Sequence, residues 1–273
     1  MESVDSSNQV GFILAIANQK GGVGKTTTAV NLSASLAVAE ARILLVDLDP
    51  QANATSGLGI ERQEIDDSIY AAMDGSKPAD ELIMKTDLPT LDVIASGPDL
   101  YGIDMDLAEF DDRLLRLQQV LTPLRARYDW IIIDCPPSLS LLTLNALTAS
   151  DSVMIPMQCE YYALEGLSQL VRTIELVRSS TNPNLKIEGV VLTMFDGRNN
   201  LAKQVMDDVK SYFGDRVFQS VIPRNVRLSE APSFGKPVLL YDINSRGSQG
   251  YLALAKELVG RGVNNDTSGE QLK

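Results

Sequence analysis

The chain has 273 residues, 44% of them hydrophobic, with 36 acidic and 24 basic side chains and no histidine. A chain this long can bury a core without disulfide or metal staples. The missing histidine excludes Ser–His or Cys–His nucleophilic catalysis and any histidine-ligated metal.

A formal charge of −12 argues against a uniformly basic surface, but the charge is uneven. Residues 61–112 carry 15 acidic and 3 basic side chains, whereas residues 181–261 carry 11 basic and 8 acidic. Such asymmetry permits a basic face on an acidic protein. No apolar run approaches the roughly 18 residues of a membrane span, and no secretory leader is recognised, so a soluble protein is expected. Cys135 and Cys159 have no C-x-x-C spacing and read as reduced thiols of a cytoplasmic protein.

Residues 1–10 and 262–273 are polar and are expected to be disordered tails around a single domain over 11–261. The first strand is expected over 11–17. It runs into Gln19-Lys20-Gly21-Gly22-Val23-Gly24-Lys25-Thr26-Thr27, and a helix-like segment follows from Thr28. Strand, glycine-rich loop and helix is the arrangement that cradles nucleotide phosphates. Lys20 through Thr27 would surround the phosphates, with Lys25 reaching the outer ones and the Thr26 hydroxyl ligating magnesium. The pattern G-x-x-x-x-G-K-[ST] departs at its first position, where Gln19 stands for glycine and a second lysine, Lys20, follows.

The next strand, 42–47, ends on Asp47, and Asp49 lies just beyond it in Leu44-Leu45-Val46-Asp47-Leu48-Asp49-Pro50-Gln51. Asp49 is expected to orient the attacking water, since the loop position reaches further than the strand end. Asp47 is assigned beside the metal, with a purely structural carboxylate as the alternative. A strand over 91–95 and a helix over 104–124 follow, the helix carrying Leu107, Phe110, Leu114, Leu117, Leu121 and Leu124 at helical spacing. The strand 129–134 then closes on Asp134, an acid after four apolar strand residues, as a magnesium-side Walker-B carboxylate requires. Strands over 151–157, 186–194 and 217–222 and a helix over 163–179 complete the pattern. Strands apolar on both faces, alternating with helices, predict one doubly wound, mostly parallel α/β sheet covered on both sides, a P-loop NTPase fold.

Four blocks in this order carry a resemblance. They are Lys20–Thr27, Leu44–Gly59, Trp130–Ser138 and Ile222–Ser233, and together they resemble the ParA/Soj family of chromosome- and plasmid-partitioning ATPases, the deviant Walker-A group of P-loop proteins. The resemblance implies an ATP- and magnesium-dependent ATPase whose two ATP-bound subunits sandwich their nucleotides. Lys20 then matches a lysine that reaches the partner's phosphates, Asp49 the hydrolytic aspartate, and Pro223 and Asn225 positions at the adenine. Arg198 and Arg227 match positions assigned to non-specific double-stranded DNA. A ParB/Spo0J-like centromere-binding protein is the implied stimulating partner, and the cytoplasmic nucleoid the implied location, with no membrane partner. Ala52, where relatives often have glycine, and the acidic 61–112 stretch depart from the pattern.

Two alternatives on the same fold remain. A membrane-recruited positioning ATPase similar to MinD would need a basic amphipathic C-terminal helix, but Gly260 to Glu270 is polar and glycine-broken. An iron–sulfur carrier would need paired cysteines, which Cys135 and Cys159 do not supply.

Overall fold

The computed structural model describes residues 10–160 and 163–267. Of the tails expected over 1–10 and 262–273, residues 1–9 and 268–273 lie outside the described residues. Seven strands form one sheet: β1 (Phe12–Ile16), β2 (Ile43–Asp47), β3 (Ile83–Lys85), β4 (Leu91–Ile94), β5 (Trp130–Asp134), β6 (Ser152–Gln158) and β7 (Lys186–Thr193). Their spatial order is β3-β4-β2-β5-β1-β6-β7, and every neighbour pair is parallel except β3 with β4. The helices are α1 (Lys25–Ala37), α2 (Asn53–Gly57), α3 (Ile69–Met73), α4 (Ile103–Asp106), α5 (Arg116–Leu121), α6 (Leu141–Ala149), α7 (Ala163–Ser180), α8 (Asn200–Phe213), α9 (Val226–Glu230), α10 (Val238–Tyr241) and α11 (Arg246–Thr267).

Strand alternation divides the core into two layers. Leu14, Ile16, Ile43, Leu45 and Ile132 face one side, with residues of α1, α10 and α11. Ile13, Ala15, Leu44, Val46, Ile131 and Ile133 face the other, with residues of α5 to α8. The central strands are buried on both sides, which explains why they read as unbroken apolar runs. Parallel strands also place all their carboxyl ends, and the loops after them, on one rim.

Three expectations are corrected. The helix over 104–124 is interrupted after α4. Asn145 of α6 accepts from the Leu117 N–H at 3.1 Å and donates to the Arg113 carbonyl at 2.8 Å, replacing helical bonds there. The strand over 217–222 does not form. Val217 makes one isolated bridge to Val190 of β7 and Pro223, past the segment, a second to Phe195, but the Gln219 and Ser220 N–H groups donate to Glu257 of α11 instead. The chain past residue 261 continues as helix, since α11 runs to Thr267. The short edge strand β3 was not expected, because three residues carry no periodic signal.

One backbone crossing ties the 222–233 block to the rim. Gly235, at φ +61°, lies where a Cβ would meet Gly59 Cα at 2.7 Å, which presses the turn Ala231–Phe234 onto α2. Gly235→Ala should therefore cost about 1–3 kcal/mol of unfolding free energy, as overpacking does. Urea denaturation followed by the single tryptophan, Trp130, measures it; an unchanged midpoint would show that the crossing relaxes freely.

Candidate active site

The glycine-rich loop leaves β1 and enters α1 through Gly24, which caps the helix at φ +88° with no side-chain cap. The first-turn N–H groups therefore stay available to an anion. A Cβ at Gly21 or Gly22 would meet nothing within 4 Å, so the loop opens onto free space. Its underside is clamped. The Thr193 hydroxyl at the end of β7 donates to the Val23 carbonyl at 2.7 Å. The Gln158 amide at the end of β6 donates to the Gly22 carbonyl at 2.8 Å. With those carbonyls held against the sheet, the loop N–H groups can converge on a phosphate.

Lys25 is buried, and its Nζ donates to the Lys20 carbonyl at 3.3 Å. Burial lowers its pKa, while the charge of Asp134 opposes the shift. Asp134 ends β5 in register with Asp47 at the end of β2, and both are fully buried. Among the described residues neither Asp134 oxygen has a hydrogen-bond partner. Its pKa is pushed well up, first by burial and then by the Asp47 charge. The nearby Thr26 hydroxyl opposes this, although it does not reach hydrogen-bond geometry.

Asp47 is different. Its Oδ2 accepts from the Thr55 N–H at 2.8 Å and the Thr55 hydroxyl at 2.7 Å, and its Oδ1 accepts from the Asp49 N–H at 3.2 Å. Burial pushes its pKa up to about 6 against those bonds. Of the two roles expected for Asp47, beside the metal or purely structural, these bonds favour the second: its oxygens hold the loop that follows β2, whereas both Asp134 oxygens are unengaged. Asp49 stands on that loop, nearly buried, with Oδ1 accepting from the Gln51 N–H at 3.0 Å.

The remaining expected residues lie on the rim or near it. Lys20 turns outward and forms an ion pair with Glu160 beyond β6. Pro223 bridges to Phe195 just past β7, and Asn225 caps α9 by accepting from the Arg227 N–H at 2.9 Å. Arg198 is nearly fully exposed and grips Asp196 through two guanidinium nitrogens. Arg227 pairs with Glu230 and Asp242. Sequence reasoning missed Thr55, Ser96, Gln158 and Thr193. The last three share a signal, a polar residue closing or following an apolar strand run.

The residues fit a nucleotide with magnesium. Two orphaned buried oxygens on Asp134 call for a cation beside Thr26, and the open glycine loop calls for an anion. Among the described residues no three acidic or thiol side chains cluster to hold a metal unaided, so oxygens from a bound nucleotide would complete the coordination. A glycine loop after β1, a buried lysine opening α1 and an acid closing β5 define a P-loop nucleotide hydrolase with a second loop lysine.

Residues 11–187 match the family model described as an AAA domain. The chain is 60% identical to the chromosome partitioning protein ParA of Myxococcus xanthus (strain DK1622), over 92% of this chain and 89% of that one. It is 56% identical to the sporulation initiation inhibitor protein Soj of Bacillus subtilis (strain 168), over 93% of this chain and all of that one. Its fold matches cobyrinic acid a,c-diamide synthase from Mycobacterium smegmatis, solved with an ATP analog and magnesium, at a TM-score of 0.82 and 36% identity, covering 92% and 94% of the two chains. The chain belongs to the ParA/Soj family of partitioning ATPases.

The two buried carboxylates set a pH dependence. Folded-state pKa values above the unfolded value of 3.8 mean that the folded protein binds protons more tightly, so stability falls as pH rises from about 4 to 6 through the titration of Asp47, and the raised pKa of Asp134 acts in the same direction. Asp134→Asn removes the unpaired charge and should raise the melting temperature at pH 8 by about 2–8 °C, equivalent to about 1–2 kcal/mol. Calorimetry without nucleotide or magnesium tests this; a lower melting point would mean that the carboxylate is compensated in the folded protein.

Proposed function

We propose that the chain is a chromosome-partitioning ATPase that dimerises around ATP, binds DNA without sequence preference in that state, and is reset by hydrolysis. One observation carries the reading: of the two loop lysines, Lys25 is buried inside the cradle and Lys20 faces out at its rim. A lysine turned away from its own phosphates suits contact with a second copy of the same chain.

In this reading Gly21, Gly22, Val23, Gly24 and Thr27 line the phosphates, and Lys25 exchanges the Lys20 carbonyl for a phosphate oxygen. Thr26 and Asp134 hold magnesium, which offsets the phosphate charge when bound. Asp47 keeps the loop after β2 in place. Asp49 orients the attacking water with the oxygen that Gln51 leaves free, and Pro223 and Asn225 border the adenine. Lys20 acts in trans as a charge-stabilising finger, a contribution worth on the order of 10³–10⁵ in rate. Arg198 and Arg227 contact phosphates of the duplex. A ParB/Spo0J-like protein is the partner that accelerates hydrolysis, and the cytoplasmic nucleoid is where the dimer resides. No described helix is long and apolar enough to cross a membrane.

Filter binding on a non-specific duplex, with ATP, ADP or no nucleotide, tests the DNA step. Binding is expected with ATP only. With two arginines from each subunit, affinity should drop about 10²-fold between roughly 50 and 200 mM salt. Equal retention with ADP or without nucleotide would overturn the switch. Lys20→Ala should leave ATP binding to the monomer intact while abolishing ATP-dependent dimerisation or lowering stimulated turnover by about 10³-fold. Sedimentation and phosphate release read the two effects, and a variant that dimerises and turns over normally would refute the role in trans.

A further inference from the structure

The loop that carries Asp49 is tied to the sheet by a closed ring of buried hydrogen bonds. Asp47 at the end of β2 accepts from Thr55 of α2 through both its N–H and its hydroxyl. The Thr55 hydroxyl oxygen in turn accepts from the Ser96 N–H at 3.2 Å, just past β4. The Ser96 hydroxyl donates to the Asp49 carbonyl at 2.6 Å, and the Asp49 N–H returns to Asp47 at 3.2 Å. Thr55 and Ser96 are 1% and 0% exposed, so no water competes for these bonds. Each hydroxyl has a single proton, and both protons are committed within the ring.

The ring fixes both backbone groups of Asp49. Its N–H is held by Asp47, and its carbonyl accepts from Ser96 and from the Ala52 N–H at 2.8 Å. On the side chain, Oδ1 is taken by the Gln51 N–H, while Oδ2 has no partner among the described residues. The ring holds the Asp49 backbone and the Gln51 bond holds its carboxylate, and together they set the direction of that free oxygen. The four-residue span from Asp49 to Ala52 also holds a non-glycine residue, Ala52, at φ +55°, a conformation that persists only where its surroundings fix it.

We propose that Thr55 and Ser96 are positioning residues for hydrolysis: they aim the free oxygen of Asp49 at the attacking water without touching the nucleotide. The proposal rests on the reading of Asp49 as the residue that orients this water. Phosphoryl transfer depends mainly on positioning, and a misplacement of about 1 Å can cost about 10²-fold.

Thr55→Val keeps the shape and removes the hydroxyl. It should lower kcat for single-turnover ATP hydrolysis, with magnesium and duplex present, by about 10²-fold and leave ATP affinity within about threefold. Thr55→Ser should recover most of the rate, because the donor and acceptor return. Ser96→Ala removes one bond and should cost about 10-fold, which keeps the test open if Thr55→Val melts early. In the Asp49→Ala background neither change should slow turnover further. Wild-type kcat in Thr55→Val and Ser96→Ala beside an inactive Asp49→Ala would overturn the positioning role alone. Equal damage from Thr55→Ser and Thr55→Val, or further loss in the Asp49→Ala background, would also overturn it. Normal turnover by Asp49→Ala would instead remove the reading of Asp49 on which the proposal stands.

Discussion

An unpaired negative charge beneath the glycine loop is the constraint around which the site is arranged. Asp47 and Asp134 end adjacent strands in register, both out of solvent, and their charges raise the cost of ionising either. The chain resolves the conflict unequally. Asp47 receives three donors from the loop it anchors, and Asp134 receives none. One carboxylate thus becomes part of the scaffold, and the other is left with free lone pairs where magnesium would bind. Lys25, its own pKa lowered by burial, is a positive side chain whose charge partly offsets that of Asp134. A phosphate with its cation would compensate all three groups together, so ligand binding and local stability are linked in this fold.

The floor of the site is correspondingly stiff. The loop carbonyls are pinned by Gln158 and Thr193, which close neighbouring strands β6 and β7. On the other side of β1, the ring through Thr55 and Ser96 joins β2 to β4. Two non-glycine residues with left-handed backbone, Ala52 and Met194, sit in these rim segments, one after β2 and one after β7. Backbone strain of this kind survives where packing over-determines it, and it clusters where geometry matters for chemistry. Here both strained residues lie next to side chains that hold either Asp49 or the glycine loop.

Most of this architecture is legible in the sequence. Five-residue apolar runs that end on a polar residue mark β2 and β5, and a buried parallel strand leaves few other ways to write such a run. The phosphate loop was legible because glycines, lysine and threonine must occur there in a fixed order. What escaped was set by side chains from distant segments. Asn145 interrupts a leucine-spaced helix by taking its backbone bonds, and Glu257 diverts the N–H groups of a strand-like segment. Neither effect leaves a local trace. The division of labour between Asp47 and Asp134 is equally hidden, since both end apolar strands and only the Thr55 and Asp49 contacts separate them.

The cations assigned to intermolecular contacts share a different property: each is paired within its own chain. Lys20 pairs with Glu160, Arg198 with Asp196, and Arg227 with Glu230 and Asp242. All three are solvent-exposed pairs, which contribute little to stability and weaken further in salt. Exchanging such an acid for a phosphate is therefore a small step for one residue, and no single exchange commits the protein to a partner. Affinity in the proposed dimer then comes from doubling the number of weak phosphate contacts on one rigid body. The proposed switch would be reversible because its intermolecular contacts are individually weak, whereas the groups proposed to commit it to hydrolysis are buried and fixed.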